Sequence, residues 1–318
     1  MQKISAPAAQ TPVRLPMPVM MGVGVLLLIS LGVTVPFDPT WWQVVILGVV
    51  QGLTEFLPIS STAHLLIVGK LIGFTNTIGG TFDIAIQIGT VIAVIAFYLT
   101  DLLGQASALI GRNTPAVTAA ARRLWIAVAV AFLPAAGVGL IFHKIIKERL
   151  FNPKSPEAPL VIAGTLIIGG IIFLVIELLP RRAARTTELG EIRIGQAIGV
   201  GVAQVFSLVP GTSRSGSSIV GGLLSGLDRR TATAFSFYLS IPVLGAATLV
   251  DLLGSLGQIQ SGDWGRLLLG TMVSMIVGWL SIGWLLRYVA RNSFISFGIY
   301  RIIAGGFILA LVLSGWLS

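Results

Sequence analysis

Seven apolar stretches, at 16–36, 83–103, 124–142, 158–179, 232–254, 265–289 and 294–316, are each long enough to cross a lipid bilayer as a helix. A hydrocarbon core of about 30 Å takes about 20 helical residues, and within it every backbone N–H and C=O must find a partner inside the protein. The charge content points the same way: only 10% of the 318 residues are Asp, Glu, Lys or Arg, against about 25% in a soluble domain. The surface that charge would cover must therefore meet lipid, and the fold class expected is an all-α polytopic membrane protein. No residue is cysteine, which excludes disulfides, thiolate nucleophiles and Cys-ligated metal centres. With His64 and His143 the only histidines, a metal would be a hard cation on oxygen ligands.

The formal charge of +9 does not indicate nucleic acid, and no nucleic-acid partner is expected. Basic residues fall in short clusters between the apolar runs, the distribution that the positive-inside rule describes. Lys3 and Arg14, the pair of clusters Arg112/Arg122/Arg123 and Arg181/Arg182/Arg185, then Arg229/Arg230 and Arg287/Arg291 can all share the cytoplasmic side. The 143–157 loop, with Lys144, Lys147, Arg149 and Lys154, is the exception. No small-x-small cleavage pattern stands near Val35-Pro36-Phe37, so 16–36 is read as a retained helix. The expected organisation is an N-terminal extension, 1–36, carrying one transmembrane helix, followed by a single membrane catalytic domain, 37–318.

Two further apolar stretches, 43–72 and 194–226, are interrupted by Pro, Gly, Ser and Thr. Broken backbone at membrane depth has to be buried in protein or line a wet cavity, so both are read as re-entrant helical hairpins. Gln51-Gly-Leu-Thr-Glu-Phe-Leu-Pro58-Ile-Ser-Ser61 aligns with Gln204-Val-Phe-Ser-Leu-Val-Pro210-Gly-Thr-Ser213 when one residue is dropped before the proline, and Asp101-Leu-Leu and Asp251-Leu-Leu follow at similar distances. Each half, 43–179 and 194–316, is then a hairpin plus three spans. Three crossings turn the second half upside down, giving an inverted-topology repeat with a polar site where the hairpin tips meet near the midplane.

Chemistry concentrates in those tips. Glu55 stands in an apolar context where an ionised carboxylate is costly; it is either functional or a helix-end group reaching interfacial water. Gln51, four residues earlier, shares its helical face. Ser60, Ser61, Thr62 and His64 add three hydroxyls and an imidazole. An imidazole titrates near neutrality and can activate a hydroxyl nucleophile, although a lone histidine is more often a structural hydrogen bonder. In the second tip, Pro210-Gly-Thr-Ser213-Arg214-Ser215-Gly216, one arginine stands among hydroxyls and glycines with no acid nearby. Arg214 either binds an anion, for which a planar five-donor fork suits phosphate, or pairs with a distant carboxylate such as Glu55. Carboxylate, imidazole, guanidinium and hydroxyls together suit phosphoryl chemistry. Asp83, Gln87, Glu177 and Arg301 are weaker candidates, read as interface caps or helix–helix glue.

The strings QGLTEFLPISSTAHL (51–65) and PGTSRSG (210–216), with the closing Phe297-Gly-Ile-Tyr300-Arg301, resemble the bacitracin-resistance family of undecaprenyl-diphosphate phosphatases over about residues 40–316. Where that family's first motif often begins with Glu, this chain has Gln51. The resemblance implies hydrolysis of undecaprenyl diphosphate to the monophosphate and phosphate, recycling the lipid carrier for peptidoglycan synthesis and conferring bacitracin resistance. It further implies a multi-pass protein of the bacterial plasma (inner) membrane with its active site toward the outer face, using Mg2+ or Ca2+. The functional positions carried over are Glu55, Ser60, Ser61, Thr62, His64, Ser213 and Arg214. Glu55, Ser61, His64 and Arg214 are expected to be catalytic, with Ser61 as nucleophile or phosphate ligand, His64 as its proton partner and Glu55 as the metal carboxylate. Ser60, Thr62, Ser213, Ser215 and Gln51 are expected to bind substrate. The expected partners are a polyprenyl diphosphate and bilayer lipids, and a homodimer is admitted. A secondary transporter for a polyprenyl phosphate or small anion is the rival architecture. A phosphatase of the type-2 phosphatidic-acid kind would need a histidine after Arg214, and none follows.

Overall fold

The computed structural model describes residues 40–74, 81–145, 157–179, 184–255, 257 and 263–317. The expected helix at 16–36 and the basic residues Lys3, Arg14, Lys147, Arg149, Lys154, Arg181 and Arg182 lie outside the described residues. The described chain is helical, with one isolated parallel bridge between Thr186 and Leu227. Its α-helices are α1 (Trp41–Thr54), α2 (Ser61–Leu71), α3 (Thr81–Phe97), α4 (Leu99–Leu109), α5 (Pro115–Ile145), α6 (Ala158–Leu178), α7 (Ile194–Val205), α8 (Arg214–Leu224), α9 (Arg229–Ser255), α10 (Trp264–Val289) and α11 (Ile295–Leu313).

Among the described residues five helices, α5, α6, α9, α10 and α11, are long and apolar enough to span a bilayer. The protein is therefore an all-helical, multi-pass membrane protein. Pro134 and Pro242 sit inside α5 and α9 without ending them, as neighbouring helices in a membrane allow. The expected single span at 83–103 is instead bent by 66° between α3 and α4. The physical cause is side-chain packing at the corner: the Tyr98 ring lies 4.7 Å from that of Tyr238, and Gln105 Nε2 donates to the Tyr238 hydroxyl at 3.0 Å. These contacts pin the corner to α9, and α4 then packs against α5 rather than running onward through lipid.

The two interrupted stretches do form hairpins. Helices of 14, 11, 12 and 11 residues rise only about 1.5 Å per residue and fall short of a bilayer core. α1 packs on α2, and α7 on α8. Around them, α10 packs on α1 and α3, α11 on α6, and α5 on α7. Lipid tails are as apolar as leucine, so close van der Waals packing rather than water exclusion holds such helices together. The α6–α11 contact illustrates this: a Cβ on Gly170 would stand 2.6 Å from the Gly298 carbonyl oxygen, so only glycine lets the backbones approach so closely. At one end of these helices the buried Glu177 receives Arg229 Nη2 at 2.6 Å and Nε at 2.9 Å, and accepts the Phe294 N–H at 3.0 Å. That forked pair ties α6, α9 and the start of α11.

Candidate active site

The first break runs from Glu55 to Ser60, and the second, after a 3-10 turn at Phe206–Leu208, runs to Ser213. Each ends on a serine with φ 74° at the N-cap of the following helix, Ser60 before α2 and Ser213 before α8. These are the only non-glycine residues with positive φ among those described, and non-glycine residues in such regions persist where the surroundings over-determine them. Ser60 lies nine positions after Gln51, and Ser213 nine after Gln204, so matching the two serines needs no gap. The dropped residue before the proline is unnecessary: backbone torsion, not proline, sets the register.

The breaks meet. Ser215 Oγ donates to the Leu57 carbonyl at 3.0 Å, and Arg214 Nη2 donates to Glu55 Oε1 at 3.1 Å, with both side chains 8% exposed. Of the two readings of Arg214, an anion ligand or a partner for Glu55, the described state contains the pair. Glu55 Oε2 also accepts from Ser61 Oγ at 2.8 Å and from Gln51 Nε2 at 3.2 Å. Arg214 Nη1 donates to the carbonyl and hydroxyl oxygens of Ser236 at 3.1 and 3.4 Å, while its Nε, also buried, has no partner. A guanidinium with an unused buried donor retains capacity for another acceptor.

His64 is placed differently from expectation. Its Nδ1 lies 2.7 Å from the Ser60 carbonyl oxygen and its Nε2 2.6 Å from the Tyr300 hydroxyl. A carbonyl accepts only, so Nδ1 carries a proton, and in the neutral imidazole Nε2 then accepts from Tyr300. Ser61 thus gives its hydrogen bond to Glu55, not to His64. Ser213 Oγ caps α8 by accepting the Gly216 N–H at 3.1 Å and lies 3.1 Å from Ser215 Oγ. Thr62 is half-buried on the first turn of α2. Glu55, Ser61, Gln51 and Arg214 therefore form one bonded cluster, Ser213 and Ser215 a bonded pair tied to the first break at the Leu57 carbonyl, with Ser60 and His64 on the adjoining turn. Sequence reasoning missed Tyr300 and Ser236; Tyr300 stood inside a recognised string, but 236 residues separate it from His64.

A cavity of about 490 Å³ opens beside His64, lined by Val50, Leu53, Leu57, Val68, Phe297 and Tyr300 among others. As a hard-cation cage the site does not fit, since no group of three His, Asp or Glu side chains gathers among the described residues. A single carboxylate completed by phosphate oxygens does fit Mg2+, which keeps few protein ligands at phosphate sites.

Fold and site together define a helical membrane protein whose buried acid–guanidinium cluster is suited to phosphate chemistry. Residues 44–307 match the family model described as bacitracin resistance protein BacA. A protein of Albidiferax ferrireducens named undecaprenyl-diphosphatase is 43% identical over 273 residues, 85% of this chain and 94% of its own length. Namesakes from Neisseria gonorrhoeae (42% over 277 residues, covering 87% and 97%) and Variovorax paradoxus (42% over 270, covering 85% and 94%) are similar to it as well. The chain belongs to the BacA family.

Proposed function

We propose that this chain is an undecaprenyl-diphosphate phosphatase, hydrolysing the lipid diphosphate to monophosphate and inorganic phosphate and so returning the carrier to peptidoglycan synthesis. One observation carries the reading: Ser61 Oγ and Arg214 are bridged by the same carboxylate, Glu55, across the two breaks. A terminal phosphate entering there would take up the free Nε of Arg214 and compete for its Nη2. Released from that donor, Glu55 becomes a stronger acceptor for the Ser61 proton. Ser61 Oγ then bonds to the terminal phosphorus as the bond to the bridging oxygen breaks, and the lipid monophosphate leaves with the electron pair. Water hydrolyses the phosphoserine, returning the proton. Glu55 thus takes the proton role first expected of His64. Ser60, Thr62, Ser213, Ser215 and Gln51 line the phosphate's path, and the N-termini of α2 and α8 favour negative charge.

The apolar cavity beside His64 would take the first prenyl units, which puts the leaving phosphate on the His64–Tyr300 side. Glu55 with the diphosphate's own oxygens would hold Mg2+ or Ca2+, whose charge would neutralise the phosphates. The purified chain in detergent, where no gradient exists, should release one phosphate per polyprenyl diphosphate, and a chelator should slow it. A transporter would release none.

We further read the halves 43–179 and 194–316 as an inverted-topology repeat following an N-terminal extension, 1–36, in the bacterial plasma membrane, with the site open to the outer face. The gapless match of Ser60 to Ser213, each heading an 11-residue helix, supports it. The chain has no cysteine, so single cysteines at Lys70 and Leu224 can be probed with an impermeant maleimide in oriented vesicles. Labelling from opposite sides is expected; labelling from one side contradicts the inversion.

A further inference from the structure

Arg301 has no part in the phosphate chemistry above, yet it is the largest fully buried side chain described, 1% exposed on α11. Its Nη1 donates to the Pro58 carbonyl at 3.0 Å. Its Nη2 reaches the carbonyls of Thr165, Gly211 and Thr212 at 3.1, 3.3 and 3.0 Å, and Nε reaches that of Leu166 at 3.4 Å. Among the described residues every one of these partners is a backbone carbonyl, and none is a carboxylate. Pro58 belongs to the first break, Gly211 and Thr212 to the second, and Thr165 and Leu166 to α6. Thr165 adds a bond of its own, from Oγ1 to the Pro210 carbonyl at 2.8 Å.

A broken helix at membrane depth leaves carbonyls that lipid cannot satisfy, each at a cost of several kcal/mol. One planar fork with five donors answers carbonyls from both breaks at once, which a lysine with three donors on one atom cannot do. The Pro58 carbonyl lies two residues before Ser60, and that of Thr212 two before Arg214. Holding these carbonyls on one rigid plane sets how the start of α2 faces the start of α8. On the phosphatase reading, we propose that Arg301 is a positioning residue that locks the two breaks in register, fixing Ser61 on one against Arg214 on the other.

The fold supplies a test that leaves Arg301 in place. A Cβ on Gly169 would collide with Arg301 Nη2 and stand 2.8 Å from its Cζ, whereas a Cβ on Gly164 of the same helix meets nothing within 4 Å. Gly169→Ala therefore pushes the guanidinium off its carbonyls while raising helix propensity, and Gly164→Ala is its control. Phosphate release is measured on the monodisperse folded fraction of each variant. Since misplacing a reacting group by about 1 Å can cost about 10²-fold, Gly169→Ala should lower kcat by about 10–100-fold. KM should stay within about threefold, because ground-state binding survives, and Gly164→Ala should match the parent. Arg301→Met should lose at least as much kcat, and Arg301→Lys should recover part of it. If Arg301→Met does not fold, Gly169→Ala and Arg301→Lys decide. Parental kcat in folded Gly169→Ala or Arg301→Met overturns the proposal while leaving the phosphatase reading intact. An inactive parent defeats that reading and takes the inference with it.

Discussion

The two breaks share a backbone and differ in charge. Both turn on a serine with φ 74° and open into an 11-residue helix. Yet the first presents Glu55, Ser61 and His64, and the second Arg214 among hydroxyls and glycines. In the gapless register Ser61 corresponds to Arg214, so the first residue of each helix is a hydroxyl on one side and a guanidinium on the other. Their capping differs too: Ser213 Oγ accepts the Gly216 N–H, while Ser60 makes no side-chain cap bond. One geometric device, used twice, thus brings unlike groups together, and neither break alone holds the set that phosphoryl transfer needs.

Removing the charge of the second break should do most damage. Arg214→Ala is expected to lower kcat by about 10³-fold. It should also destabilise the fold by about 3–5 kcal/mol, because Glu55 stays buried without its partner. Arg214→Ala combined with Glu55→Gln should regain the parent's melting temperature and none of its turnover, which separates the pair's chemistry from its stability; recovered turnover would contradict the assignment. Ser61→Ala should lose about 10²-fold or more in phosphate release. Ser213→Ala, which removes the side-chain cap of α8, should cost only about 1 kcal/mol of stability, as a lost N-cap does. Equal kinetic losses at the two positions would erase the contrast.

The imidazole should matter less. Tyr300→Phe removes the donor to His64 Nε2 and is expected to slow turnover by about tenfold, the scale of one lost neutral hydrogen bond. His64→Ala should slow turnover to a similar degree and keep the shape of the pH–rate profile, since Ser61 gives its hydrogen bond to Glu55; loss of the limb near neutrality would return the proton role to His64. The smallest effect is conformational. At both 60 and 213, the Gly variant should be more stable than the Ala variant by about 1 kcal/mol, because glycine adopts positive φ freely. Ala variants as stable as Gly would show that the two turns are not strained alike.

Much of this arrangement was legible in the chain itself, and what was not shares a cause. The interrupted stretches declared themselves because Pro, Gly and Ser cannot continue an apolar helix through lipid, and Glu55 and Arg214 because isolated charges there need a partner. Which partner each takes is not periodic. His64 meets Tyr300, Arg214 meets Ser236, and Arg301 gathers carbonyls from three elements, all through contacts between segments far apart in sequence. The bend between α3 and α4 escaped for the same reason, since Tyr238 of α9 makes the corner with Tyr98. Arg301, read from sequence as helix–helix glue, joins the breaks themselves, because its partners are carbonyls that any residue would carry.

The most direct test is a double-mutant cycle on kcat for Ser61→Ala and Arg214→Ala, with phosphate release from polyprenyl diphosphate as the readout. Groups that act as one unit are strongly non-additive, so the double variant should be no slower than the worse single variant. Losses that multiply in full would mean that the serine and the arginine serve separate places, and the shared centre between the breaks would not exist.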